Sequence, residues 1–422
     1  MRSLYIAAAL VLCSGFFDQS LVQAKSGTFL HITDIHLDVN YIANSDPSQW
    51  CHRKNSKSSK NTAGKFGALG SECDSPVPLV DSAFDYLNTS TFQNVDFIIY
   101  TGDTAPHKRD SKINVSDADI LSAHKNVLSR FSQTFNLSEK KLIPCIGNND
   151  MFDHNQLNIA NKDTLSKELL VDLSKLWKPL ELSLGGSFSE GGYFVQEIPG
   201  GPIVLSLNSM YFFDKNDAVP DCNTAGSAGA IELKWLEAQL KSAKSANKKV
   251  YIMSHVPPVD KSKTLYKKNC LQQYVNLLGE YSESIASHLT GHTNDDSLAA
   301  IYKSKNEYQV AALHKKKDIT FKPSDVVGVL TNAPSIIPVN NPGIRVYHYD
   351  QDDFTVLGWD QYTTDLKEDN KKNSVTWKKE YSSSTTYGVT KLNTAGWQSV
   401  VKQLKGSKKL FNKYKSYIKV DG

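Results

Sequence analysis

Five short stretches lie far apart in this chain, and each carries oxygen or imidazole donors where an apolar, β-branched run breaks off. They are Asp34-Ile35-His36, Gly102-Asp103, Gly147-Asn148-Asn149-Asp150, Ser254-His255-Val256-Pro257-Pro258 and Gly291-His292-Thr293-Asn294. Runs of this kind read as buried strands, and turn residues mark where each one ends. Donors set at successive strand ends gather at the carboxyl edge of a sheet. The chain is thereby confined to an α/β architecture built around one metal edge.

The rest of the sequence agrees with that architecture. Strand-like runs at Thr28 to Ile32, Val95 to Tyr100, Leu142 to Ile146, Ile203 to Leu207, Val250 to Met253 and Ile285 to Leu289 alternate with amphipathic segments. Those segments, Leu79 to Leu87, Ala118 to Phe135, Asp163 to Leu176, Ala230 to Ala246 and Leu271 to Tyr281, predict helices on the outside of a sandwich. Past Asp295 come further strand-like pieces: Val326 to Leu330, Ile344 to Tyr349 and Phe354 to Tyr362. Residues 365–422, rich in lysine and serine, read as a C-terminal helical extension packed on a catalytic domain spanning 25–364.

Arg2 precedes an apolar stretch from Leu4 to Phe17, and Val22-Gln23-Ala24 fits a signal-peptide cleavage site, so residues 1–24 are expected to be removed. No other stretch approaches the roughly 18 apolar residues of a membrane-spanning helix, and no transmembrane segment is expected. The sequons at Asn88, Asn114 and Asn136 are compatible with glycosylation on a secretory route. Without Cys13, five cysteines remain, an odd number in an oxidising compartment. Cys51 and Cys73 bracket a Lys/Ser-rich loop and are expected to pair, Cys222 with Cys270 is the second expected pair, and Cys145 reads as a buried free thiol. The net charge of +4 is too mild to argue for a nucleic-acid partner. One basic cluster, Arg53, Lys54, Lys57, Lys60 and Lys65, follows the first metal motif and is suited to an anionic substrate.

The donor chemistry narrows the reaction. Two cations about 3.5 to 4 Å apart can share a bridging hydroxide and neutralise charge during displacement at phosphorus. Such a pair needs a carboxylate that bridges both ions, and Asp103, freed to turn by Gly102, is the candidate. Asp34 and His36 stand two apart and face one way along an extended chain. Asn148 offers a neutral carbonyl, while His255 and His292 add imidazoles that suit zinc, iron or manganese better than calcium.

The set Asp-x-His, Gly-Asp, Gly-Asn-x-Asp, His and Gly-His resembles the calcineurin-like metallophosphoesterases. More narrowly, His31-Ile32-Thr33-Asp34-Ile35-His36-Leu37-Asp38, Cys73-Asp74-Ser75-Pro76, Gly102-Asp103-Thr104-Ala105-Pro106-His107, His255-Val256-Pro257-Pro258 and Asn341-Pro342-Gly343-Ile344-Arg345 are similar to the acid sphingomyelinase-like phosphodiesterases. The resemblance implies a four-layer α/β/β/α sandwich, two zinc ions, and a secreted or lysosomal enzyme. It assigns Asp34, His36 and Asp103 to one metal, and Asp103, Asn148, His255 and His292 to the other. It makes His107 the group placed to protonate the leaving oxygen or to stabilise the transition state. The implied substrate is a phosphodiester, a sphingomyelin-type head group or a nucleotide, with peripheral contact to lipid surfaces.

Two positions depart from that pattern. Asn149 stands where the family has a histidine, and Asn294 stands where its last imidazole holds the first metal. A carboxamide cannot shuttle protons, and its oxygen binds zinc less well than an imidazole nitrogen. Both replacements resemble endopolyphosphatases, in which a histidine recurs near the place of His154; the expectation is that His154 takes over part of the missing imidazole's work. Cleavage of polyphosphate is therefore the alternative activity, and a non-catalytic binding protein is a third reading. The catalytic candidates are His107, His154 and Asn149.

Overall fold

Where the sequence alternates apolar runs with amphipathic segments, the chain alternates strands with helices. This computed structural model describes residues 25–158 and 164–421, so the expected signal peptide lies outside the described residues. In chain order the strands of the two large sheets are β1 (Ser26–Ile32), β2 (Phe97–Tyr100), β3 (Lys141–Pro144), β4 (Phe194–Glu197), β5 (Ile203–Ser206), β6 (Val250–Met253) and β7 (Ile285–Thr290). They continue with β8 (Ser297–Ser304), β9 (Glu307–Ala312), β10 (Val326–Asn332), β11 (Gly343–Asp350), β12 (Val356–Thr364) and β13 (Trp377–Ser382).

One sheet runs β13-β12-β11-β1-β2-β3 and the other β9-β8-β10-β7-β6-β5-β4. The metal motifs follow the parallel strands: β1, β2 and β3 in the first sheet, β6 and β7 in the second. Parallel neighbours end on the same edge, which is why donors hundreds of residues apart meet. The sheets pack face to face through aromatic side chains. Phe29 on β1 is fully buried, stacks on Phe97 (4.8 Å) and Tyr347 (4.7 Å), and reaches Tyr251 of the opposite sheet at 5.4 Å. With helices on the outer faces, this is the α/β/β/α sandwich.

The helices begin where local chemistry starts them. Ser116 and Asp119 form a reciprocal capping box at Asp117–Thr134, and Ser227 caps Ala228–Ser245 by accepting from Ala230 N–H. Val77–Leu87 carries a proline in its first turn, where no intrahelical donor is lost. Both expected disulfides are formed, Cys51–Cys73 and Cys222–Cys270, and Cys145 is free and buried. No helix among the described residues is long and apolar enough to cross a membrane.

The C-terminal segment is more than a helical extension. Besides its helices, Thr394–Gly406 and Lys408–Ile418 among them, it supplies β13, the edge strand of the first sheet. It also braces the metal edge. Arg345 on β11 is fully buried and pairs with Asp296 at 2.6 Å, and Tyr381 of β13 donates its hydroxyl to the same carboxylate. Tyr417 stacks on Tyr381 at 3.8 Å, and Ile418 O accepts from Asp296 N–H. The loop carrying His292 and Asn294 is thus held from behind by the last hundred residues.

Candidate metal centre

The backbone bends sharply just where the donors stand. Five of the seven metal candidates adopt left-handed φ: Asp34 (50°), His36 (42°), Asp103 (55°), His292 (72°) and Asn294 (58°). Such conformations cost about 1–3 kcal/mol each and persist only where surroundings over-determine them. Here the strand-end loops lace together: Asp34 N–H donates to Gly102 O, His36 N–H to Asp103 O and Leu37 N–H to Thr104 O, each at 3.0 Å. Asp150 supplies the strongest lacing. Its carboxylate accepts from the N–H groups of Gly147 (2.8 Å), Asp103 (3.1 Å), Thr104 (2.8 Å) and Ala105 (3.2 Å), and His124 stands 3.1 Å away. A side chain at Gly147 would meet Asp103 Oδ1 at 2.2 Å, so the close approach demands glycine.

These bends bring two donor groups together around one shared carboxylate. Asp34, His36 and Asp103 form one group, and Asp103, His255 and His292 form the other. Asp103 Oδ2 lies 3.3 Å from His36 Nε2 and 3.2 Å from His255 Nε2, the position of a bridge. Asn148 Oδ1 lies 2.9 Å from His255 Nε2 and 2.8 Å from His292 Nδ1, so it faces the second group. Asn155 Oδ1 accepts from Asn148 Nδ2 and turns the amide that way. His36 Nδ1 faces Ala105 O (3.0 Å) and His255 Nδ1 faces Thr101 O (2.8 Å), so each ring donates there and presents a bare Nε2 to the centre.

Charge and unmet hydrogen bonding both fit cations at this place. Asp34 Oδ1 and Asn294 Oδ1 are buried acceptors without a donor, as is Asn149 Oδ1. Burial lowers the pKa of His36, but the negative charge of Asp103 and of Asp34 beside it outweighs that and lifts the ring to about 9. His255 is likewise lowered by burial and lifted by Asp103 to about 9. These carboxylates call for positive charge, whether from protons or from metal ions. His292, lowered to about 4 by burial and by His255, stays a neutral, ligand-ready imidazole.

The remaining candidates take different places. His107 stacks on His36, ring centroids 4.3 Å apart, at the side of the centre. Its Nδ1 faces Asp74 Oδ1 at 2.6 Å, and its backbone N–H donates to Asp74 Oδ2 at 2.8 Å. Asn149 is buried against Asp103: its N–H donates to Asp103 Oδ1 (2.8 Å) and its Nδ2 to Asp103 Oδ2 (2.7 Å). His154 is exposed, and partial desolvation together with nearby His107 lowers its pKa. Asn294 is held through its backbone, whose carbonyl accepts from Asn340 Nδ2. Sequence reasoning gave no role to Asp74, Asp150 or His124. Asp74 and Asp150 sit inside the motifs already singled out, which is the one signal pointing to them, whereas His124 lies mid-helix with none.

Comparison with known proteins matches residues 27–296 to the family described as calcineurin-like phosphoesterase, and residues 325–421 to the acid sphingomyelin phosphodiesterase C-terminal region. Among relatives, an endopolyphosphatase of Cryptococcus neoformans is 29% identical over 78% of this chain, and the chain spans 58% of that protein's length. The cyclic GMP-AMP phosphodiesterase SMPDL3A of Rattus norvegicus is 31% identical, covering 93% of this chain and 84% of its own. Sphingomyelinase phosphodiesterase C of Dictyostelium discoideum is 27% identical, covering 91% of this chain and 84% of its own.

Proposed function

Because the chain belongs to the calcineurin-like phosphoesterases, we propose that its metal centre is that of a phosphodiesterase of the acid sphingomyelinase-like group, acting on a sphingomyelin-type head group or a nucleotide. The observation that carries this reading is the sharing of Asp103 Oδ2 between two donor groups, with His107 fixed beside them. Asp34, His36 and Asp103 would hold one ion, joined by Asn294; Asp103, Asn148, His255 and His292 would hold the other. Imidazole with carboxylate favours zinc for both. The chemistry that two bound ions supply in such a pair is activation of a water and neutralisation of phosphoryl charge.

The chain's own groups do the rest. Asn149 holds both oxygens of Asp103, so the bridge keeps its orientation through the reaction. Asp74 keeps the proton of His107 on Nδ1 and leaves Nε2 to carry a second proton to the leaving oxygen. Val39, Ile42 and Leu69 stand exposed on the loop between Asp38 and Asp74, which supports peripheral contact with a lipid surface next to the centre. Two disulfides and exposed sequons at Asn88, Asn114 and Asn136 support a secreted or lysosomal glycoprotein.

Cleavage of polyphosphate is the second reading. It is supported by Asn149, Asn294 and the exposed His154, and by Lys54, Lys57, Lys60 and Lys65, all exposed on the same loop. The two readings part in one assay: turnover of sphingomyelin, a nucleoside triphosphate, a cyclic dinucleotide and long-chain polyphosphate, side by side, with Asp103→Asn as the inactive control. Preference for either ester supports the first reading; faster loss of long-chain polyphosphate overturns it in favour of the second. If His154→Ala keeps full turnover while His107→Ala loses it, His154 has no share in proton transfer. Metal analysis that finds manganese or iron in both positions removes zinc from the proposal.

A further inference from the structure

Away from the catalytic cluster, metal-ligating side chains converge a second time. Asp260 ends the short strand Val259–Asp260 that follows the His255 loop, Asp295 comes directly after Asn294, and His314 stands two residues past β9. His314 Nε2 lies 3.1 Å from Asp295 Oδ2 and 3.7 Å from Asp260 Oδ1. The imidazole and the Asp295 carboxylate are 8% and 7% exposed, and Asp260 is 19% exposed.

A proton on Nε2 points along one of these lines only, and it serves Asp295. Asp260 Oδ1 is closed off from solvent and receives no hydrogen bond. Lys261 Nζ, 3.2 Å from Asp260 Oδ2, satisfies the other oxygen. A buried carboxylate oxygen left without a donor is costly, on the order of 1–3 kcal/mol or more. The spacings also repeat those of the catalytic cluster, where His36 Nε2 stands 3.3 Å from Asp103 Oδ2 and 3.6 Å from Asp34 Oδ1. Donors lying about 2.0–2.2 Å from one ion in tetrahedral array fall at such distances from each other.

We propose that Asp260, Asp295 and His314 form a third cation site, for a divalent ion of the zinc and manganese class, with water completing its shell. Two carboxylates neutralise the dication, and the imidazole selects against magnesium and calcium. The site ties three segments of the second sheet's metal edge together: the hairpin after His255, the loop bearing His292 and Asn294, and the end of β9. Its part is to hold that loop, and it requires no particular substrate.

The test uses the full-length protein. Crystals saturated with Mn²⁺ should show an anomalous peak within coordination distance of Asp260 Oδ1, Asp295 Oδ2 and His314 Nε2, apart from the peaks at the catalytic pair. Metal content by mass spectrometry should be three equivalents per chain and fall to two in both Asp260→Asn and His314→Gln. No peak at that position while the catalytic pair is filled, or the same metal content in wild type and both variants, overturns the proposal. The wild-type crystal decides the matter even if neither variant folds.

Discussion

Replacing Asp74 by asparagine should damage turnover through His107 and leave the metals in place. The carboxylate faces His107 Nδ1 at 2.6 Å and accepts the His107 backbone N–H at 2.8 Å, so it sets both the tautomer and the angle of the ring. It is 7% exposed, and the ring 14%, so solvent screens the contact little. A hydrogen bond to a charged group is worth about 1.5–3 kcal/mol. Each 1.36 kcal/mol is tenfold in rate, so loss of His107's orientation should cost roughly 10- to 150-fold in kcat. Asparagine keeps the shape, and it can also present Nδ2 to Nδ1 and stabilise the wrong tautomer. Burial and His36 hold the His107 pKa below 6.5, and Asp74 is the group that opposes them. Its removal should therefore lower the pKa further and move the alkaline limb of the rate profile to lower pH. The decisive assay compares two leaving groups. An ester that expels p-nitrophenolate needs no proton, so Asp74→Asn should spare it, while an ester with an alkoxide leaving group should lose the full factor. Equal losses on both substrates, with metal content unchanged, would refute proton delivery by an Asp74-held His107.

Three further outcomes follow from the same structure. Arg345→Met leaves Asp296 charged and buried without its partner, which should cost about 3–5 kcal/mol in urea unfolding; the double variant with Asp296→Asn should recover part of this, and equal melting midpoints for both would count against the ion pair. His52 is lowered by burial but raised overall by Asp38 and Asp110, and Arg53 shares the same Asp110 oxygen. Its stabilisation of the disulfide-closed loop is thus complete below pH 6.5 and lost as pH rises through the raised value, so proteolytic nicking near Lys57 should increase at alkaline pH in wild type, with the low-pH protection absent from His52→Gln. Removing metal with a chelator should lower Tm, because ions that bind only the folded state stabilise it by about 2.7 kcal/mol at 100 times Kd; a chelator-insensitive Tm with metal fully removed would contradict the charge argument at Asp103.

Much of this fold is legible because its parallel strands are short, apolar and β-branched. Ile98 and Ile99 on β2, or Tyr251 and Ile252 on β6, are neighbours pointing to opposite faces and both buried, and they announce a strand without any neighbouring strand's help. Four pieces do not announce themselves, one of them β9, an edge strand that forms by pairing with β8. β8 carries Ala299 and Ala300, poor strand formers that become a strand only by pairing with β10 and β9. β13 reads Trp-Lys-Lys-Glu-Tyr-Ser and looks like a solvated helix face, yet lysines suit an edge strand, where they discourage further pairing. β4 is four residues long and gains its identity from β5. In each case the deciding information lies on another strand.

The metal edge divides in the same way. Which residues could donate is a matter of chemical type and can be read directly, so Asp34, His36, Asp103, Asn148, His255 and His292 come together as expected. How they are held is not local. Asp150 looks like one more ligand in its motif, but four backbone N–H groups from two loops occupy its oxygens, and it works as the clasp between them. Asn149 looks like a crippled histidine, yet its amide has a place of its own: Nδ2 donates to Asp103 Oδ2 while Oδ1 stays a buried acceptor. A donor fixed on Asp103 Oδ2 withdraws electron density from the bridge and weakens it as a ligand. In the proposed centre, the replacement that seemed only to remove a proton carrier would therefore also tune the carboxylate that two ions would share. Restoring histidine by Asn149→His should then change metal affinity as well as rate, and a variant that altered rate alone would show that the amide's hold on Asp103 has no electronic consequence.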